Sequence, residues 1–145
     1  MNPRRKWLTA GVLALAALVA GCGGGDDDFK LPSGTEFGLG VEVQLRIGQT
    51  GVISAESFSM QFQSVPEDSR CPINALCVQA GQATVQLVAQ RSGFAAQSVA
   101  LTIPGALASV SYAGYTVRLT KLEPYPVAGQ PTTPSSYVAT FVVTR

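Results

Sequence analysis

Three cysteines and no histidine bound the side-chain chemistry open to this 145-residue chain. Without histidine, the Ser-His and Cys-His pairs that activate most side-chain nucleophiles are absent. Cys71 and Cys77 are separated by five residues. Redox dithiols usually have a gap of two, where one thiolate is stabilised by its neighbour and often by a helix N-terminus. Two sulfurs without an imidazole also leave too few soft ligands for zinc. Glu36, Glu42, Glu56, Glu67 and Glu123 include no pair that the sequence itself places together for acid–base work. No Walker-type loop or dinucleotide fingerprint occurs, and the glycines at 23–25 follow an apolar run instead of a strand. The expectation is a protein that is not an enzyme and has neither metal nor cofactor.

The third cysteine, Cys22, has a different context. Arg4, Arg5 and Lys6 form a positive n-region, an apolar stretch runs from Trp7 to Ala20, and Val19 Ala20 Gly21 are small residues at its exit. About 14 apolar residues rise only about 21 Å as a helix, short of the roughly 30 Å hydrocarbon core, so the stretch reads as a signal-peptide h-region and not as a permanent span. With Cys22 next, the segment resembles the lipobox of bacterial lipoproteins. That resemblance implies cleavage before Cys22, leaving residues 1–21 as signal peptide, and a diacylglyceryl group plus an N-acyl chain on Cys22. Two or more acyl chains hold a protein stably on a membrane, each buried methylene contributing about 0.8 kcal/mol. Arg4 and Arg5 loosely resemble a twin-arginine signal, but the Leu, Ala and Val content suits the general secretory route. Gly23 follows Cys22, where enteric inner-membrane lipoproteins carry aspartate. The expected address is therefore the outer membrane, facing the periplasm.

Cleavage changes the charge balance. Removing Arg4, Arg5 and Lys6 from ten basic residues leaves seven against nine acidic, a mature side-chain balance of about −2. Scattered charges of that sign offer no basic stripe for phosphates, which excludes nucleic acid as an expected partner. Residues 22–40 read as a flexible tether: three glycines, then Asp26, Asp27 and Asp28, then Pro32, Ser33 and Gly34. Calcium loops alternate their ligands and include a turn-forming glycine, so three consecutive aspartates read as a solvated spacer.

From residue 41 to 145 the dominant signal has period two, the repeat that puts one face of a strand in a core and the other in water. Val41, Val43, Leu45 and Ile47 alternate with polar residues, as do Phe58, Met60 and Phe62, then Ala83, Val85, Leu87 and Ala89. Val99, Leu101 and Ile103 continue the pattern, followed by Tyr115, Val117 and Leu119, and by Tyr137, Ala139, Phe141 and Val143. A short strand around Val52 and Ile53 is also expected. Glycine and proline punctuate these runs, and no helical stripe interrupts them. The fold class expected is all-β: a small antiparallel sandwich of six to eight strands, immunoglobulin-like, with a small barrel as the alternative.

Assigning Cys22 to lipid leaves Cys71 and Cys77 as a pair in an oxidising compartment, and a structural disulfide is the expectation. Closing a seven-residue ring is worth roughly 2 kcal/mol on the chain-entropy argument, less any strain. A thiol–disulfide redox protein using these two cysteines is the competing class.

The run DSRCPINALCVQAGQATVQL, residues 68–87, resembles a DSRCP, four-residue gap, C, x, x, A, G signature of a family of small bacterial lipoproteins and exported domains. Where that family usually has tryptophan before Ala-Gly, this chain has Gln79. The segment Tyr115–Pro126 and the final strand follow the same layout. The resemblance implies a β fold and export, and no activity. Within the motif, Asp68 and Arg70 read either as a charged binding pair or as residues that fix the start of the loop, aspartate by accepting N–H bonds and arginine by pairing with it or satisfying carbonyls. Pro72 stiffens the ring, and Gly81 suits a positive φ. Two stiffened loops, 67–81 and 124–136, are thus expected to present Ile73, Leu76 and Tyr125 to an envelope protein partner.

Overall fold

The computed structural model describes residues 29–145. The lipobox-like segment, Cys22 and the glycine and aspartate runs lie outside the described residues. Among the described residues nine strands form: β1 (Thr35–Glu36), β2 (Glu42–Arg46), β3 (Thr50–Ile53), β4 (Phe58–Asp68), β5 (Ala83–Arg91), β6 (Gln97–Ile103), β7 (Ser109–Tyr112), β8 (Tyr115–Glu123) and β9 (Val138–Thr144). They make two sheets, ordered β1-β3-β4-β5-β6 and β2-β9-β8-β7, which pack as a sandwich and do not close into a barrel. Strands β3 to β6 pair in chain order, as do β7 to β9. The connections are therefore two meanders, without the interleaved Greek-key order of immunoglobulin domains.

Period-two alternation decides which side chains meet. In β4, Phe58, Met60 and Phe62 are buried, and in β5 Ala83, Val85, Leu87 and Ala89 are. Across the sandwich they meet Val117, Leu119, Ala139, Phe141 and Val143. Phe62 packs edge-on to Phe141 at 6.0 Å between ring centroids, and Phe58 lies 5.3 Å from Tyr115. Truncating such a ring to alanine typically costs about 3–5 kcal/mol, so each of these rings is a large contributor to the core.

Two irregularities shape the end of the sandwich where β4 and β8 finish. The β4–β5 register shifts between Phe62 and Glu67, where Pro66 has no N–H to donate to the ladder. The β8–β9 register shifts at Thr120, and this bulge returns Leu122 to the same buried face as Leu119, three residues on instead of two. Strand β7 pairs β8 only as far as Ser109↔Arg118, so the last part of β8 has no neighbour on that side.

The expected tether is corrected at its end. Residues 35–40 belong to the folded body: β1 runs parallel to β3, the Phe37 N–H donates to the Val52 carbonyl at 2.9 Å, and the Gly40 N–H donates to Val143 at 2.8 Å. The Glu36 carboxylate accepts bonds from the Ser54 N–H and hydroxyl, which hold it below the usual glutamate range. Gly34 marks the boundary because a Cβ there would lie 2.3 Å from the Thr50 carbonyl oxygen. A two-residue strand carries no period-two signal, and its formation depends on β3 being in place.

Candidate functional site: a braced pair of loops

The β4–β5 hairpin continues past its strands. Ser69 N–H donates to the Gln82 carbonyl at 2.7 Å, and Cys71 N–H donates to Ala80 at 2.8 Å. Gly81 permits this approach: its φ is +67°, and a Cβ there would sit 1.8 Å from the Ser69 carbonyl oxygen. Beyond these rungs the chain turns at Pro72, whose carbonyl accepts the Ala75 N–H at 3.1 Å. The Cys71–Cys77 disulfide closes the tip, with the two Cα atoms 6.0 Å apart.

Asp68 and Arg70 face inward. The guanidinium grips the carboxylate through Nε at 2.8 Å and Nη2 at 2.7 Å, and both side chains are almost fully buried, at 2% exposure for Arg70 and 7% for Asp68. Arg70 also donates from Nη1 to the Leu122 carbonyl at 2.6 Å and from Nη2 to Pro124 at 2.9 Å. It thereby occupies the edge of β8 that β7 leaves open, which satisfies main-chain acceptors that a strand would otherwise reach. The Tyr137 hydroxyl donates to the second Asp68 oxygen at 3.0 Å, and the Tyr125 ring lies over the guanidinium at 4.5 Å. Burial pushes the Asp68 carboxyl up, but the hydrogen bonds from Arg70 and Tyr137, with the Arg70 charge, outweigh it and leave the group below the ordinary aspartate value. Burial and the bond to Asp68 push the Tyr137 phenol up.

The two loops expected separately are joined. Ile73 N–H donates to the Pro126 carbonyl at 3.0 Å, and the Asn74 side-chain oxygen accepts the Ala128 N–H at 2.7 Å. Asn74 was not among the expected site residues, and no local pattern marks it, since its partner lies 54 residues away. Ile73, Leu76 and Tyr125 are exposed as expected, and Val78 joins them. Of the proposed contact residues, then, three face outward, while the charged pair holds the loops from beneath.

Comparison with known proteins adds no relative. No family model matches the chain, and neither a curated protein nor a solved structure does.

Beside the clamp, a cleft of about 380 Å³ opens where the end of β6 and the unpaired part of β8 diverge, with Arg70, Ile103, Pro104, Arg118, Leu122 and Tyr125 in its walls. Its charged groups, with Lys121, are cationic. Arginines, a lysine and a phenol can orient or neutralise a ligand but supply neither a carboxylate base nor a thiolate. Across the described residues no group of three or more Cys, Asp and Glu gathers as a metal cage would require.

Proposed function

We propose that this chain is a lipid-anchored protein of the cell envelope whose β domain is a non-enzymatic binding or structural module, with the joined loops as its contact surface. The observation that carries the reading is the brace itself. A disulfide, two loop-to-loop hydrogen bonds and a buried arginine clamp fix a tip whose apolar side chains contribute nothing to the core. A surface ordered before binding loses little conformational entropy on contact. The lipobox resemblance supplies the anchor, and the DSRCP resemblance agrees with export.

Metabolic labelling with a clickable fatty acid, followed by membrane fractionation, tests the anchor: label and membrane pelleting are expected for the native chain and lost in Cys22→Ser. Equal label in both would overturn it. The reduction potential of the Cys71–Cys77 bond tests the non-enzymatic part. A value below about −300 mV is expected for a structural bond, and one near periplasmic oxidants would replace this reading with thiol–disulfide exchange.

A further inference from the structure

Seven large apolar side chains stand exposed among the described residues, and they are unevenly distributed. Val41 and Phe94 lie at the end of the sandwich where β4 begins. Ile73, Leu76, Val78, Leu107 and Tyr125 lie at the opposite end, where β4, β6 and β8 finish. Leu76 and Val78 are fully exposed, at 106% and 104%, so neither is packed into the core of its own domain. The segment from Cys71 to Gln90 contains no charged residue. A tip of that composition enters an apolar medium without stripping water from a charge, the largest cost of such a transfer.

The path of the chain brings this end toward an anchor. Strand β1 is parallel to β3 and so antiparallel to β4, so its first residue faces the end toward which β4 runs, while Pro32 lies beside Ser59, Gln61, Val88 and Gln90 on the outer face of the sheet. Thr35 sits level with Met60 through Gly51, and so with Ala89 of β5; from Ala89 to Ala80, at the base of the tip, the hairpin spans about 30 Å at 3.3 Å per residue. Twelve residues lie between Cys22 and Thr35, and the thirteen residue steps reach at most about 45 Å. An acylated Cys22 and the loop tip therefore fit against one plane.

We propose that the tip docks on the bilayer to which the chain is anchored, with Leu76 and Val78 at the acyl boundary, Ile73 beside them, and the Tyr125 ring at headgroup level. Amphipathic aromatic rings favour that depth, and apolar area held in the interface adds to an anchor's binding. The inference rests on the lipid-anchor reading. The disulfide and the bonds to Pro126 and Ala128 then have a mechanical role: they hold the apolar residues outward, preventing the collapse onto the domain that a slack loop would undergo.

The test uses the full chain carrying Leu76→Trp, expressed with its signal and purified from membranes into vesicles of phosphatidylethanolamine and phosphatidylglycerol with brominated acyl chains. The native sequence has one tryptophan, Trp7, inside the expected signal peptide, so the mature variant reports from position 76 alone. Phe94→Trp, at the far end, is the control. Mass spectrometry of the mature N-terminus is expected to show acylated Cys22, with emission at position 76 blue-shifted and quenched by bromine, emission at 94 unquenched, and the shift at 76 lost when Val78→Asp is added. Acylation with position 76 as solvent-exposed as position 94 overturns this inference alone. A blue shift without bromine quenching also overturns it, placing the tip against protein. An unacylated N-terminus overturns this inference and the anchor reading together.

Discussion

The two ends of the sandwich are closed by the same three chemical groups, a phenol, a carboxylate and a guanidinium, and they differ in what surrounds them. At the far end the Tyr115 hydroxyl donates to Glu56, Arg145 reaches both groups, and Arg91 lies over the Tyr115 ring at 4.9 Å. At the loop end the Tyr137 hydroxyl donates to Asp68, Arg70 grips the same carboxylate, and the ring over the cation is Tyr125. Arg145 is 63% exposed and its distance to Glu56 is 3.4 Å, whereas Arg70 is withdrawn from water and makes four hydrogen bonds to protein oxygens. Chemistry alone would rate the two triads alike. Burial separates them, because an exposed ion pair is screened and costs little to break, while a buried charge left alone is costly.

The largest predicted effect follows from that contrast. Arg70→Ala should cost about 3–5 kcal/mol in urea unfolding, since it strands the Asp68 charge and the Leu122 and Pro124 carbonyls. A cost under about 1 kcal/mol would show that the clamp is not the keystone of the loop end. Next, removing the disulfide with Cys71→Ser and Cys77→Ser together should cost about 2 kcal/mol or less, as expected for a small ring. Hydrogen exchange should rise locally at Ile73 and Ala75 while the core strands stay protected. Uniform exchange across the domain would mean that the staple supports the whole fold and not the tip.

Acid stability sharpens the comparison further. The folded-state value of Asp68 is depressed, so its contribution is fully present above its ordinary value of about 3.8 and is lost as pH falls below that point through the folded-state value. Asp68→Asn should therefore be less stable near neutrality, with its deficit narrowing in acid. Parallel stability curves for the two proteins would contradict the assignment. The smallest effect belongs to the far end, where Arg145→Ala should change stability by no more than about 1 kcal/mol, and less in high salt. A loss matching that of Arg70→Ala would erase the distinction between the ends.

Much of this architecture was readable in the chain. Strict alternation placed the cores of β2, β4, β5, β6, β8 and β9, because a buried sheet face demands period two wherever it occurs. Gly81 was readable as well, since a hairpin rejoining its strand with a close main-chain approach has room for little else. Strand β7 was not anticipated: only Val110 and Tyr112 alternate there, too few to distinguish from a loop. Strand β4 extends beyond its alternating part to Asp68 because pairing with β5 carries it through the irregularity at Pro66. For Asp68 and Arg70 the sequence left two readings open, a charged binding pair or a loop fastening. The fastening is the one observed, and the carbonyls it serves are 52 and 54 residues away.

By itself the sequence determined the all-β character, the spacing of the cysteines and the absence of histidine chemistry, because these depend on residue identity and on a two-residue repeat. The tertiary structure decided which charges were buried, that the two loops became one surface through Asn74 and Ile73, and that most of the exposed large apolar residues gathered at one end. The physical reason is range. Alternation and turn chemistry act over a few residues, whereas the desolvation of Arg70 and the crowding of Ile73, Leu76, Val78, Leu107 and Tyr125 at one end exist only after strands distant in sequence have packed.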